Sequence, residues 1–110
     1  MVRKSGTLLQ GTVDVLILKT LTEGPTHGYG VSQLIRERTE GILGLDDAAL
    51  YQALHRLEAK GWIEAEWGLS ENNRRAKFYR LTRKGRGHLR SAAASWRQYA
   101  EAVFKVLDHN

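Results

Sequence analysis

Residues 46–82 read DDAALYQALHRLEAKGWIEAEWGLSENNRRAKFYRLT, and this stretch encodes a helix followed directly by a hairpin. Asp46 is a good N-cap, Asp47 sits favourably in the first turn against the helix dipole, and Gly61 stops the helix after Lys60. Leu50, Leu54 and Leu57 recur at i, i+4 and i+7 and define a buried stripe. The opposite face carries Ala49, Gln52, His55, Arg56 and Ala59, with Tyr51 near the boundary. Ile63, Ala65 and Trp67 then alternate with Glu64 and Glu66, and Tyr79 and Leu81 alternate with Phe78 and Arg80. Between them lies a turn at 70–75 in which Asn72-Asn73 can take the positive φ that a tight reversal needs. A helix with a polar outer face therefore stands beside a hairpin whose tip, Asn73, Arg74, Arg75 and Lys77, is basic.

Outward from this stretch, residues 9–23 form an expected first helix that is apolar almost all round. Leu9, Val13, Leu16, Ile17 and Leu21 lie on one side and Leu8, Val15 and Leu18 on another, so it must be buried on two sides. Gly24-Pro25 stops it, and Thr26 is the expected cap of a second helix over 27–38, which Gly41 and Gly44 break. Residues 42–45 read as a short extended link. Downstream, Thr82 caps a last helix that runs to about Asp108. The order helix, helix, link, helix, hairpin, helix is the winged helix-turn-helix pattern, in a mainly α fold with a small β-hairpin. Its use on DNA has a physical basis: a helix fits the major groove, and a basic two-stranded wing reaches the adjacent backbone or minor groove.

The composition agrees. The chain has 110 residues, 42% hydrophobic and 26% charged, which suits one globular domain, and no Cys, which excludes disulfides and thiol chemistry. Val13–Leu18 is interrupted by Asp14 and no charged leader precedes it, so a cytoplasmic protein without a membrane role is expected. Lys and Arg number 17 against 12 acids, a net charge of +5. The excess is concentrated in Arg74, Arg75, Lys77, Arg80, Arg83, Lys84, Arg86 and Arg90, a window that holds no acid. Arg83, Lys84 and Arg86 oppose the dipole at a helix start, which a phosphate neighbour would offset. Enzyme chemistry finds no support: there is no Gly-rich phosphate loop, nucleophile motif or carboxylate pair. His27, His55, His88 and His109 are isolated, without the spacing of a helical metal site, and no cofactor is implied.

The last helix is too long for a monomer. At 27 residues it spans about 40 Å, whereas a domain of this size has a radius of gyration of about 13 Å. Its outer part is apolar at Leu89, Ala93, Trp96, Ala100, Val103 and Leu107, a 4-3-4-3-4 spacing with Phe104 and Tyr99 beside it. A two-fold homodimer would cover this stripe, packing it on its counterpart and on the Leu8 and Val15 side of the partner's first helix. Residues 1–81 are thus expected to bind DNA and residues 82–110 to dimerise. An RNA-binding or protein-docking winged helix is the alternative, and the dimer seam separates the two, because paired reading helices suit palindromic duplex DNA.

Four segments carry a family resemblance: Gly24-Pro25-Thr26-His27-Gly28-Tyr29-Gly30; Ala49-Leu50-Tyr51-Gln52-Ala53-Leu54-His55-Arg56-Leu57-Glu58; Glu66-Trp67-Gly68; and Arg74-Arg75-Ala76-Lys77-Phe78-Tyr79-Arg80-Leu81-Thr82. Over nearly its whole length the chain resembles the PadR family of bacterial transcriptional regulators, in the short form with one C-terminal dimerisation helix. The resemblance implies a homodimeric repressor that binds an inverted-repeat operator. It also implies phosphate contacts from Tyr29 and Tyr51 and wing contacts from Arg74 and Arg75. Gln52 can bond adenine and Arg56 guanine edges in the major groove, with Ala49 and His55 on the same face. Where the family often has Ser-Pro and Thr, this chain has Asp46-Asp47 and Ala49. Trp96 is either an anchor of the dimer seam or, as in some members of the family, one wall of a cavity that stacks a small aromatic effector.

Overall fold

The computed structural model describes the backbone of residues 5–110 and the side chains of residues 11–110. Helix α1 (Ser5–Thr20) ends in a single 3-10 turn at Leu21–Glu23, and Gly24 leaves it with φ 130°. Strand β1 (Thr26–His27) follows, then α2 (Gly28–Arg38) and α3 (Asp47–Ala59). The hairpin strands β2 (Ile63–Leu69) and β3 (Arg75–Leu81) lead into α4 (Arg83–Leu107). The winged helix-turn-helix, its polar-faced third helix and its long last helix are therefore as the patterning implies.

The core is formed by Ile17, Leu18 and Leu21 from the first helical segment, Val31 and Ile35 from α2, Leu50, Leu54 and Leu57 from α3, and Ile63, Tyr79 and Leu81 from the hairpin. At about 25 cal/mol per Å2 of apolar surface removed from water, each such side chain contributes about 1.5–3 kcal/mol. Asp46 caps α3 as expected, its Oδ1 accepting from the Ala49 amide at 2.8 Å. Thr82 caps α4 by accepting from the Gly85 amide at 2.9 Å, and its hydroxyl also donates to the Gly61 carbonyl at 2.7 Å. The hairpin turn closes through the Asn73 amide onto the Ser70 carbonyl at 2.8 Å, and Asn73 itself takes the positive φ, 59°.

Three local expectations are corrected. Thr26 does not cap α2: it is drawn into a strand, and the His27 imidazole caps the helix, its Nδ1 accepting from the Gly30 amide at 3.1 Å. The expected two-stranded hairpin gains a third strand, β1, and the sheet has three antiparallel strands in the order β1-β3-β2. Thr26 lies opposite Tyr79 and His27 opposite Phe78. Finally, Trp67 does not follow Ile63 and Ala65 inward; it is exposed at the far end of the wing, where no helix reaches to cover it.

Helix α4 joins the body at its start and leaves it at its end. Gly85 is buried against the Trp62 carbonyl, Leu89 packs on the core, and the Trp96 indole N–H donates to the Thr12 hydroxyl at 2.8 Å. Beyond that contact the helix projects, giving extents of 56 × 29 × 23 Å and a radius of gyration of 15.2 Å. Leu89, read above as part of the dimer seam, is thus occupied inside its own protomer.

Near the joint, the His88 ring stacks on Trp62 with centroids 3.5 Å apart. Burial holds this imidazole below its ordinary value of 6.5, with Asp14 pulling the other way and Lys60 adding to the depression. The unfolded chain therefore binds the proton more readily, so stability is fully present above pH 6.5 and lost as the pH falls below it. The midpoint of urea unfolding is expected to fall between about pH 7 and pH 5, and His88→Gln should remove that segment of the profile.

Candidate nucleic-acid interface

The α3 stripe of Leu50, Leu54 and Leu57 is buried, which leaves Gln52 and His55 exposed on the outer face of that helix and Ala49 half-buried at its start. Tyr51 is 51% exposed and leans over Gly28. A methyl group at Gly28 would stand 3.1 Å from the Tyr51 ring and hydroxyl, so the missing side chain is what lets α3 and the start of α2 come together here. Tyr29, 66% exposed, follows immediately. The two tyrosines, one from each helix of the pair, therefore flank one surface.

The other wall is the wing. A groove of about 500 Å3 runs between it and the two helices, lined by His27, Tyr29 and Tyr51 on one side and by Trp67, Glu71, Arg74, Arg75 and Lys77 on the other, with Tyr79 also in its lining. Arg74 and Arg75 are exposed, and the Arg75 guanidinium lies over the Trp67 ring at 4.6 Å. This contact sets the direction of an otherwise flexible side chain. Lys77 is more restrained, with its ammonium 3.5 Å from the Glu58 carboxylate and 5.8 Å from the Tyr79 ring centroid. Burial, with Glu58 and Tyr51 adding, raises the Tyr79 phenol above its ordinary value, so it stays a neutral donor.

Of the residues expected to touch DNA, Tyr29, Tyr51, Arg74, Arg75 and Lys77 line this groove, whereas Gln52, His55 and Asn73 are exposed outside its lining and Ala49 is half-buried. Arg56 is not available in the same way. Its guanidinium pairs with the Asp14 carboxylate of α1 at 2.5 Å, and both side chains are largely buried, 26% and 16% exposed. In the single chain, then, an acid of its own first helix occupies the guanidinium that was expected to read a guanine. The acids at the start of α3 have local roles: Asp46 accepts from the Ala49 amide and Asp47 lies in the first turn, and both stay exposed.

Sequence reasoning missed His27, Trp67 and Glu71. His27 caps α2 through one ring nitrogen, while the other lies 3.4 Å from the Glu71 carboxylate at the wing tip, and its ring meets Phe78 edge-on at 5.5 Å. Histidine is an uncommon cap, and a two-residue strand is too short to leave a periodic signal.

The family model described as the transcriptional regulator PadR-like family matches residues 17–91. The chain belongs to this PadR-like family of transcriptional regulators. It is 33% identical over 96 residues to an uncharacterised protein of Lysinibacillus sphaericus, covering 87% of this chain and 88% of the other. Its structure is similar to that of a transcriptional regulator from Clostridium thermocellum, with a TM-score of 0.80 and 31% identity over 90% of this chain and 96% of that one. A PadR family regulator from Eggerthella lenta gives a TM-score of 0.76 and 29% identity, covering 96% and 93%. As a PadR-like regulator the protein is a DNA-binding transcription factor, and not an enzyme. Among the described residues no helix is long and apolar enough to cross a membrane.

The expected dimer stripe is open in the single chain. Trp96 is 41% exposed, Val103 39%, Phe104 58% and Leu107 69%, whereas Val15, Ala93 and Ala100 are half-buried. The side chain of Leu8 lies outside the described residues.

Proposed function

We propose that this PadR-like protein is a homodimeric repressor that binds an inverted-repeat operator, with residues 1–81 reading DNA and residues 82–110 pairing the protomers. The observation that carries the reading is the groove that Tyr29 of α2 and Tyr51 of α3 share with the cationic wing, on a helix whose Gln52 and His55 are also exposed. Gln52 and His55 enter the major groove, Ala49 lets the helix start approach the bases, and Tyr29 and Tyr51 donate to phosphates on either side. Asn73, Arg74, Arg75 and Lys77 hold the neighbouring backbone. Pairing through Ala93, Trp96, Ala100, Val103, Phe104 and Leu107, with Val15 and Leu8 of the first helix, removes the apolar stripe from water. A stripe of this kind left exposed favours aggregation. Two reading helices related by the two-fold would then address half-sites about 34–36 Å apart.

Release follows from the same seam. A planar aromatic molecule stacked on Trp96 would favour one protomer separation over another and weaken operator binding by its differential affinity, about 1–3 kcal/mol.

Fluorescence-anisotropy titration on the DNA upstream of the gene, against a scrambled duplex, tests the reading. Promoter-specific binding at two protomers per site is the expected result, and equal weak binding to both duplexes would overturn it. Arg75→Ala should weaken binding to all sequences alike and lower the salt slope by about 0.9, the equivalent of one neutralised phosphate.

A further inference from the structure

Helix α4 carries a second face that the operator reading does not use. Arg83, Arg86, Arg90 and Arg97 recur at i, i+3, i+7 and i+14, so they fall within about 60° of one another around the helix and span about 21 Å along it. All four are exposed. Among the described residues none of the four has an ion pair or a side-chain hydrogen bond, although Arg38, Arg56, Lys77 and Arg80 each have an acid partner. Gly87 and Ala94 lie between them on the same face, and no acid interrupts it before Glu101.

This ridge is unfavourable for the isolated helix. Like charges at i, i+3 and i+4 repel, and basic residues in a first turn that holds no acid oppose the dipole. It is offset from the body side of α4, since the buried Gly85 lies about 130° round the helix from its middle. The middle of the apolar stripe lies about 90° round, so the ridge runs alongside the stripe, with Ala93 and Phe104 at their shared edge. Along β3 the groove's lining ends at Tyr79, about 7 Å of strand before Leu81, so the ridge begins past that end of the groove.

We infer that the arginine ridge of α4 is a second DNA-binding surface, which holds the phosphodiester backbone of a stretch of duplex other than the one in the groove. Guanidinium forks match phosphate oxygens in pairs, a row of them matches a partner whose charge repeats along its length, and the small residues between them let a backbone approach closely. The inference rests on the DNA-binding reading only for the class of polyanion, since its residues are separate from those of the groove. Flanking DNA that bends back and a second duplex present the same chemistry.

The test uses the full-length protein and random-sequence duplexes of about two and about six helical turns, with the slope of log K against log salt as readout. Arg83→Gln, Arg86→Gln, Arg90→Gln and Arg97→Gln combined should lower the slope on the long duplex by about 3 units, and the Arg90→Gln, Arg97→Gln pair, away from the N-cap, by about 2. A control with Lys19→Gln, Arg36→Gln, Arg38→Gln and Lys105→Gln removes the same charge from other exposed positions and should change it by less than about 1 unit. A ridge effect confined to the long duplex identifies flanking DNA; one regained with excess short duplex identifies a second duplex. An unchanged slope, as a ridge for acidic proteins would give, overturns the inference, and so does a control that falls as far. If Arg75→Ala lowers the slope while the ridge variants do not, the ridge fails and the groove stands; the reverse result leaves the ridge and removes the groove.

Discussion

Replacing Gly85 with alanine should destabilise the protein by about 3 kcal/mol, at the upper end for an overpacked buried site. A methyl group there would overlap the Trp62 carbonyl oxygen and stand 2.8 Å from Leu81 Cδ1, both parts of the joint on which α4 is seated. The obstacle is backbone, so it cannot rotate aside. The same joint holds the Thr82 amide bond to the Trp62 carbonyl at 3.1 Å and the Thr82 cap, so relief at Gly85 requires the first turn of α4 to shift and both to weaken. The midpoint of urea unfolding should fall with the slope m unchanged. Gly87, two residues on, is the matched control: nothing lies within 4 Å of the position its Cβ would take. Gly87→Ala should raise stability by about 0.5–1 kcal/mol through helix propensity alone.

The second large effect is expected at Asp14. Asp14→Ala leaves the Arg56 guanidinium mostly buried without its carboxylate, in a site where Arg56 Nε already lacks a partner. Removing one member of a fully buried pair costs about 3–5 kcal/mol, and the partial exposure of both side chains brings the expected loss to about 2 kcal/mol. A double-mutant cycle with Arg56→Ala should return a coupling energy above about 1 kcal/mol. The same variant has a functional readout. Freed from α1, Arg56 can swing to the outer edge of α3, and the salt slope of DNA binding should rise by about one phosphate equivalent. No change in slope would mean that the guanidinium stays where it is without its acid.

Most of the fold was legible because its elements are strongly periodic and plainly punctuated. The spacing of Leu50, Leu54 and Leu57, the caps at Asp46 and Thr82, and the stop at Gly61 are local signals, and the structure uses each of them. What was hidden depends on tertiary pairing. Thr26 and His27 are extended because β3 offers a free edge, and no local pattern in two residues records that. Arg56 looked like a reading residue because residue type and helix face are all a sequence shows, whereas its partner lies on α1, 42 positions earlier. Trp67 kept the alternation of its strand but outran the helices that cover Ile63. The candidate site was legible as a set of residues; its restraints, Glu58 on Lys77, Glu71 on His27 and Trp67 beneath Arg75, were not.

The short strand β1 has a mechanical consequence. Because Thr26 and His27 are laced into the wing sheet and His27 also caps α2, the wing is tied to the helices at its base, and the groove is expected to move as one jaw. In a two-fold pair the jaws can change their gap only at the pivot, the stretch of α4 beyond the Trp96–Thr12 bond where the helix leaves the body. A pair of this kind would behave as calipers, and the proposed dimer is expected to tolerate changes of sequence within a half-site far better than an added or deleted base pair between the two.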